Sequence, residues 1–65
     1  MVNLYDIVKL KKTIPEKNLK SGTKGTVLII HDEQNLPLAY VVEFINEDGA
    51  SLAVVTVEAE DVEKV

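Results

Sequence analysis

Ser21-Gly22-Thr23-Lys24-Gly25 runs straight into Thr26-Val27-Leu28-Ile29-Ile30. Two glycines at this spacing, followed by an apolar and mostly β-branched run, read as a tight turn that feeds a long strand. Glycine takes positive φ or a bulge without a Cβ clash, so Gly22 and Gly25 are both expected to sit where the backbone bends. A chain whose strongest local signal is a corner entering a strand is constrained to sheet. The remaining segments are therefore read as strands and the turns between them.

Asp6 to Lys11 alternates, with Val8 and Leu10 on one face and Lys9 and Lys11 on the other. Leu4 extends the buried face by period two. Pro15 to Leu19 reads as one helical or 3₁₀ turn: Pro15 suits a first turn, and Asn18 tolerates the left-handed conformation that ends it. Leu19 and Ile14 then drop onto the core. Thr26 to His31 is apolar on both faces. Val27 and Ile30 are assigned inward, which requires a bulge or strong coiling between them. Ala39 to Ile45 puts Tyr40, Val42 and Phe44 inward and Val41 and Glu43 outward. Asn46 to Gly49 is a hairpin turn with Gly49 left-handed.

Ser51 to Val57 returns with Ala53, Val55 and Val57 inward and Leu52, Val54 and Thr56 outward. Glu58 to Asp61 forms a polar 3₁₀ turn, and Val62 to Val65 a short closing strand. Five short strands with regular turns predict an all-β fold: one domain over residues 1–65, a small five-stranded barrel with a short 3₁₀ or helical turn. Closure is expected because it removes exposed edges.

With 65 residues and no cysteine, disulfides, thiolate metal sites and cysteine nucleophiles are excluded. His31-Asp32-Glu33 is the one cluster with metal-ligand chemistry. Successive strand residues point to opposite faces, so these three do not converge on one ion, and no metal or cofactor is expected. A barrel of this size fills its interior with side chains and leaves no room for a catalytic pocket, so no catalytic residue is assigned and no enzyme is expected. The N-terminal stretch lacks the apolar core of a secretory signal, and no run approaches a membrane span. The expectation is a soluble, cytoplasmic protein.

Charge is segregated. Residues 1–24 carry six lysines against Asp6 and Glu16, while residues 25–65 carry Lys64 against nine acids. Two surfaces follow. The acidic one gathers Glu58, Glu60, Asp61 and Glu63, with Val41, Leu52 and Val54 as an apolar centre. It would steer a basic partner protein or join two copies of the chain. The basic one gathers Lys9, Lys11, Lys20 and Lys24 and would face phosphates. The chain has no arginine and few aromatic residues, which weighs against nucleic acid. Gly22, Gly25 and Gly49 are assigned to structural turns.

Gly22-x-x-Gly25-Thr26-Val27 resembles the centre of KOW domains, the SH3-like barrels of ribosomal and transcription-factor proteins. That resemblance implies a nucleic-acid or ribosome-associated module. Leu4-Tyr5-Asp6 is similar to the opening of eukaryotic SH3 peptide binders, but Ile7 replaces their second tyrosine and there is no tryptophan for a proline groove.

A longer resemblance covers nearly the whole chain. Leu4 to Leu10, Ile14 to Val27, Tyr40 to Phe44 and Leu52 to Val57 resemble the blocks of a family of small bacterial proteins of unknown function, frequent in cyanobacteria. It implies an SH3-like barrel in which glycine often stands at the position of Asn18 and a polar residue at that of Val41. It further implies a small partner protein, antitoxin- or immunity-like in the most concrete version. An accessory subunit of a larger complex is a third class of function that the chain's size allows.

Overall fold

A computed structural model describes residues 2–65. Five strands form one antiparallel sheet: β1 (Ile7–Leu10), β2 (Lys24–His31), β3 (Ala39–Ile45), β4 (Ser51–Glu58) and β5 (Val62–Lys64). Two 3₁₀ turns interrupt the meander, Pro15–Lys17 and Ala59–Asp61. The described residues include no α-helix. The spatial order is β4-β3-β2-β1-β5, so the second 3₁₀ turn carries the chain from one edge of the sheet to the other. The fold is all-β, as the alternation predicts.

One face of the curved sheet makes the core. Val8 and Leu10 from β1, Val27 from β2, Tyr40, Val42 and Phe44 from β3, Val57 from β4 and Val62 from β5 are buried. Leu19 joins them from the first loop. Its backbone pairs with Ile14 in both directions (2.7 and 3.1 Å), which pins the loop and seats the leucine on the core face of the sheet. Asn18 ends the 3₁₀ turn at φ 57°, the left-handed conformation that its short polar side chain tolerates.

The ambiguous strand resolves as expected. The β2–β3 register slips between Val27 and Ile29, so Leu28 is a bulged residue. The bulge keeps Val27 buried and returns Ile30 to the core side, where it is half-buried. At the β3–β4 hairpin, Gly49 has φ 86° and donates to the Asn46 carbonyl (3.0 Å). A second slip, between Phe44 and Ile45, leaves Leu52 as the extra residue on β4.

Three expectations are corrected. Leu4 is about half exposed rather than buried, because Tyr5 takes φ 67° and breaks the period-two continuation of β1. Gly25 is not at positive φ: β2 begins at Lys24, and Gly25 lies buried within it between Val8 and Phe44. It is needed for close approach, since a Cβ there would stand 2.6 Å from Val42 Cγ1 and 2.7 Å from the Glu43 carbonyl oxygen. Finally, among the described residues no ladder joins β4 to β5, so the sheet keeps two edges.

Candidate functional site

The face of the sheet opposite the core is built by β2, β3 and β4, with β3 in the middle. Register places Ile29, Val41 and Thr56 in one cross-strand row, and Thr26, Glu43 and Val54 in the next. Ile7 of β1 lies beside Thr26. Ile29 is 48% exposed, Leu52 49% and Val54 57%. Val41 is half-buried between them. Alternation assigns Val41, Leu52 and Val54 outward; in the structure Leu52 and Val54 are exposed, Val41 is half-buried, and Val41 and Val54 lie on adjoining strands. The structure adds Ile29, which sequence reasoning missed. The run Val27 to Ile30 is apolar on both faces, and only the bulge at Leu28 decides which member points out.

Leu52 stands apart, at the β4 bulge. It lines an open groove of about 660 Å³ together with Ser21 to Lys24 and Ile45 to Glu47. A second concavity, about 410 Å³, lies at the opposite end of β3 and is lined by His31, Glu33, Leu36, Pro37, Ala39, Thr56 and Glu58. His31 Nδ1 lies 3.7 Å from Glu33 Oε1 there, and both side chains are exposed. Among the described residues no three His, Asp or Glu side chains are grouped as a metal ion would need.

The two charged surfaces read from the sequence meet in the fold. Antiparallel pairing of β1 with β5 sets Lys9 opposite Glu63, and their side chains come within 3.6 Å. Lys12 Nζ lies 3.2 Å from Asp61 Oδ1, while Asp61 Oδ2 accepts from the Glu58 backbone N–H at 3.2 Å. Asp61 is thus a structural acid that closes the second 3₁₀ turn. Of the four acids grouped by sequence, Glu58 and Glu60 remain exposed without an ion pair among the described residues. Of the lysines, Lys9 and Lys24 are cross-strand neighbours, and Lys11 and Lys20 are exposed.

At the other end of β1, Asp6 accepts from the Asn3 N–H (2.8 Å) and faces Lys64 Nζ at 3.4 Å. The backbone hydrogen bond, and secondarily the lysine charge, hold its carboxyl below the ordinary value of 3.8. This pair ties β5 and the N-terminal turn together.

No helix among the described residues is long and apolar enough to cross a membrane. A family described as Domain of unknown function (DUF4926) matches residues 4–64, and the chain belongs to that family. No match was found to a curated protein or to a solved structure.

Proposed function

We propose that this member of the DUF4926 family is a non-catalytic module that binds another protein through the outer face of β2, β3 and β4. The observation that carries the reading is an apolar patch spread over adjoining strands: exposed Ile29 beside half-buried Val41 in one cross-strand row, and exposed Val54 in the next. A small domain gains little by leaving such residues in water, and contiguous exposed apolar surface marks interaction sites. Glu43 lies within the face and Glu58 at its margin, so the complementary partner presents an apolar centre with basic groups around it. An antitoxin- or immunity-like role is the form of this reading in which the partner is a basic toxin, and the proposed compartment is the cytoplasm.

The test compares tagged wild-type protein with Ile29→Lys, expressed in the native cell. Wild type retains a protein in stoichiometric amount, and Ile29→Lys loses it while melting at the wild-type temperature. Equal retention by the variant overturns the assigned face. Absence of any stoichiometric protein overturns the module itself. Reversing Glu58 to lysine weakens the same complex and flattens its salt dependence.

A further inference from the structure

The two edges of the sheet differ in kind. β5 is three residues long and carries Glu63 and Lys64. Short length and charge are the devices that keep an edge from pairing with another chain. β4 is eight residues long, and from Ser51 to Val57 it has no charge, no proline and no glycine. It is guarded at its start by the bulge at Leu52 and at its end by Glu58, which confine regular, uncharged edge geometry to Ala53–Val57.

The backbone groups that face outward can be assigned. Ala59 N–H donates to the Leu38 carbonyl at 2.8 Å, so Leu38 and Ala59 form a hydrogen-bonded pair. Bonded and non-bonded pairs alternate along an antiparallel ladder. Tyr40–Val57 and Val42–Val55 are therefore bonded pairs, and Val41–Thr56 and Glu43–Val54 are not. The N–H and C=O of Val54 and Thr56 point away from β3. The next outward N–H, that of Glu58, is already taken by Asp61.

We propose that β4 pairs antiparallel with β4 of a second copy of this chain, about a two-fold axis at Val55, giving one continuous ten-stranded sheet. The inference rests on the backbone of the strand edge and does not require the outer-face reading, although Val54 belongs to both surfaces. The axis sets Val54 opposite Thr56 of the other copy twice, which engages all four free N–H and C=O groups of each strand's Val54 and Thr56. It sets Val55 opposite itself and Ala53 opposite Val57. Val55 and Ala53 are half-buried core-side residues at the rim of the sheet, and pairing completes their cover. Each chain has a net charge of −4, but no like charges face each other across this seam: Ala53 to Val57 is uncharged, and the axis places each Glu58 opposite Leu52 rather than opposite the other Glu58. Exposed Val54 and Leu52 of both copies flank the seam and supply apolar burial beyond the backbone bonds.

The experiment is sedimentation of the full chain over a wide concentration range, with charge-swapped variants. Wild type sediments at twice the mass of one chain and falls to one on dilution. Val54→Lys/Thr56→Lys and Val54→Glu/Thr56→Glu each sediment as single chains, since every opposed pair then carries like charge. Mixing the two restores the doubled mass. Amide exchange gives a second readout that needs no substitution: Val54 and Thr56 slow as concentration rises, whereas Val55 and Val57 are slow throughout. A wild type that stays a single chain overturns the proposal. Doubled mass in either charged variant alone, or Val54 and Thr56 amides whose exchange ignores concentration, overturns the β4 seam.

Discussion

Gly25→Ala tests the packing at the centre of the sheet. The added methyl would meet Val42 Cγ1 at 2.6 Å, the Glu43 carbonyl oxygen at 2.7 Å and Phe44 Cδ1 at 3.0 Å. Val42 and Phe44 are fully buried, and the carbonyl belongs to the β3 backbone, so none of the three swings aside cheaply. Overpacking of this kind costs ~1–3 kcal/mol, and a backbone contact places the variant at the upper end. Alanine recovers ~0.5–1 kcal/mol of chain entropy that glycine loses in a strand. The net loss is about 2 kcal/mol, out of a total of ~3–10 kcal/mol for a chain this long. At ~4–8 °C per kcal/mol, the melting temperature falls by about 8–16 °C. Thermal unfolding followed by far-ultraviolet circular dichroism, with a urea titration at one temperature, measures it. Gly22→Ala is the internal comparison: its Cβ would meet nothing within 4 Å, and its cost is the positive φ of 88° alone, ~1–2 kcal/mol. A Gly25→Ala protein as stable as wild type, with Gly22→Ala destabilised, would refute the close approach and return Gly25 to the role of a flexible corner.

Three further outcomes follow from single residues. Leu19→Ala empties a fully buried position that loop residues alone supply, and costs ~2–5 kcal/mol in urea unfolding; a smaller loss means that the first loop is not part of the core. Asn18→Ala loses ~1 kcal/mol from the left-handed residue at φ 57°, whereas Asn18→Gly melts at or above the wild-type temperature; equal effects of the two would show that the position is not left-handed. Asp6 has a lowered carboxyl pKa, so its contribution is full above the unfolded value and fades as pH falls through the folded one. The advantage of wild type over Asp6→Asn is therefore present at neutral pH and shrinks below the ordinary value of 3.8; a difference that holds constant into acid excludes the ionised carboxylate as its source.

What the sequence made legible was whatever depends on one strand at a time. Tyr40, Val42 and Phe44 alternate with half-buried neighbours, and β3 spans the residues expected of it. Asn18 and Gly49 announce left-handed positions, and both have positive φ. Legibility ended where two segments must be compared. Nothing local to Gly25 distinguishes a residue that bends from one that lets Val42 approach. Nothing local to Thr26–Ile30 places the bulge at Leu28, so Ile29 was not separable from its neighbours as an outward residue. Tyr5 gives no sign of a positive φ, and Leu4 was misplaced for that reason.

The charge pattern shows the same limit with more consequence for function. Along the chain, lysines and acids are well separated and suggest a basic end and an acidic end. In space, β1 lies beside β5, and three pairs join the two ends there: Lys9 with Glu63, Lys12 with Asp61, Lys64 with Asp6. Exposed pairs of this type contribute little stability each. Their effect is to remove the strongest charges from the list of free surfaces on that side of the sheet and to guard the β5 edge. Among the described residues the far side has no lysine–carboxylate pair, and the contact nearest to one is His31 with Glu33 at 3.7 Å. There β4 keeps an uncharged edge, and Ile29, Val41 and Val54 keep an apolar face with only Glu43 and Glu58 beside them. A partner guided by charge alone would find a nearly compensated β1–β5 border. A partner guided by apolar burial and strand pairing would find the β3–β4 side, and substitutions there separate binding from folding most cleanly.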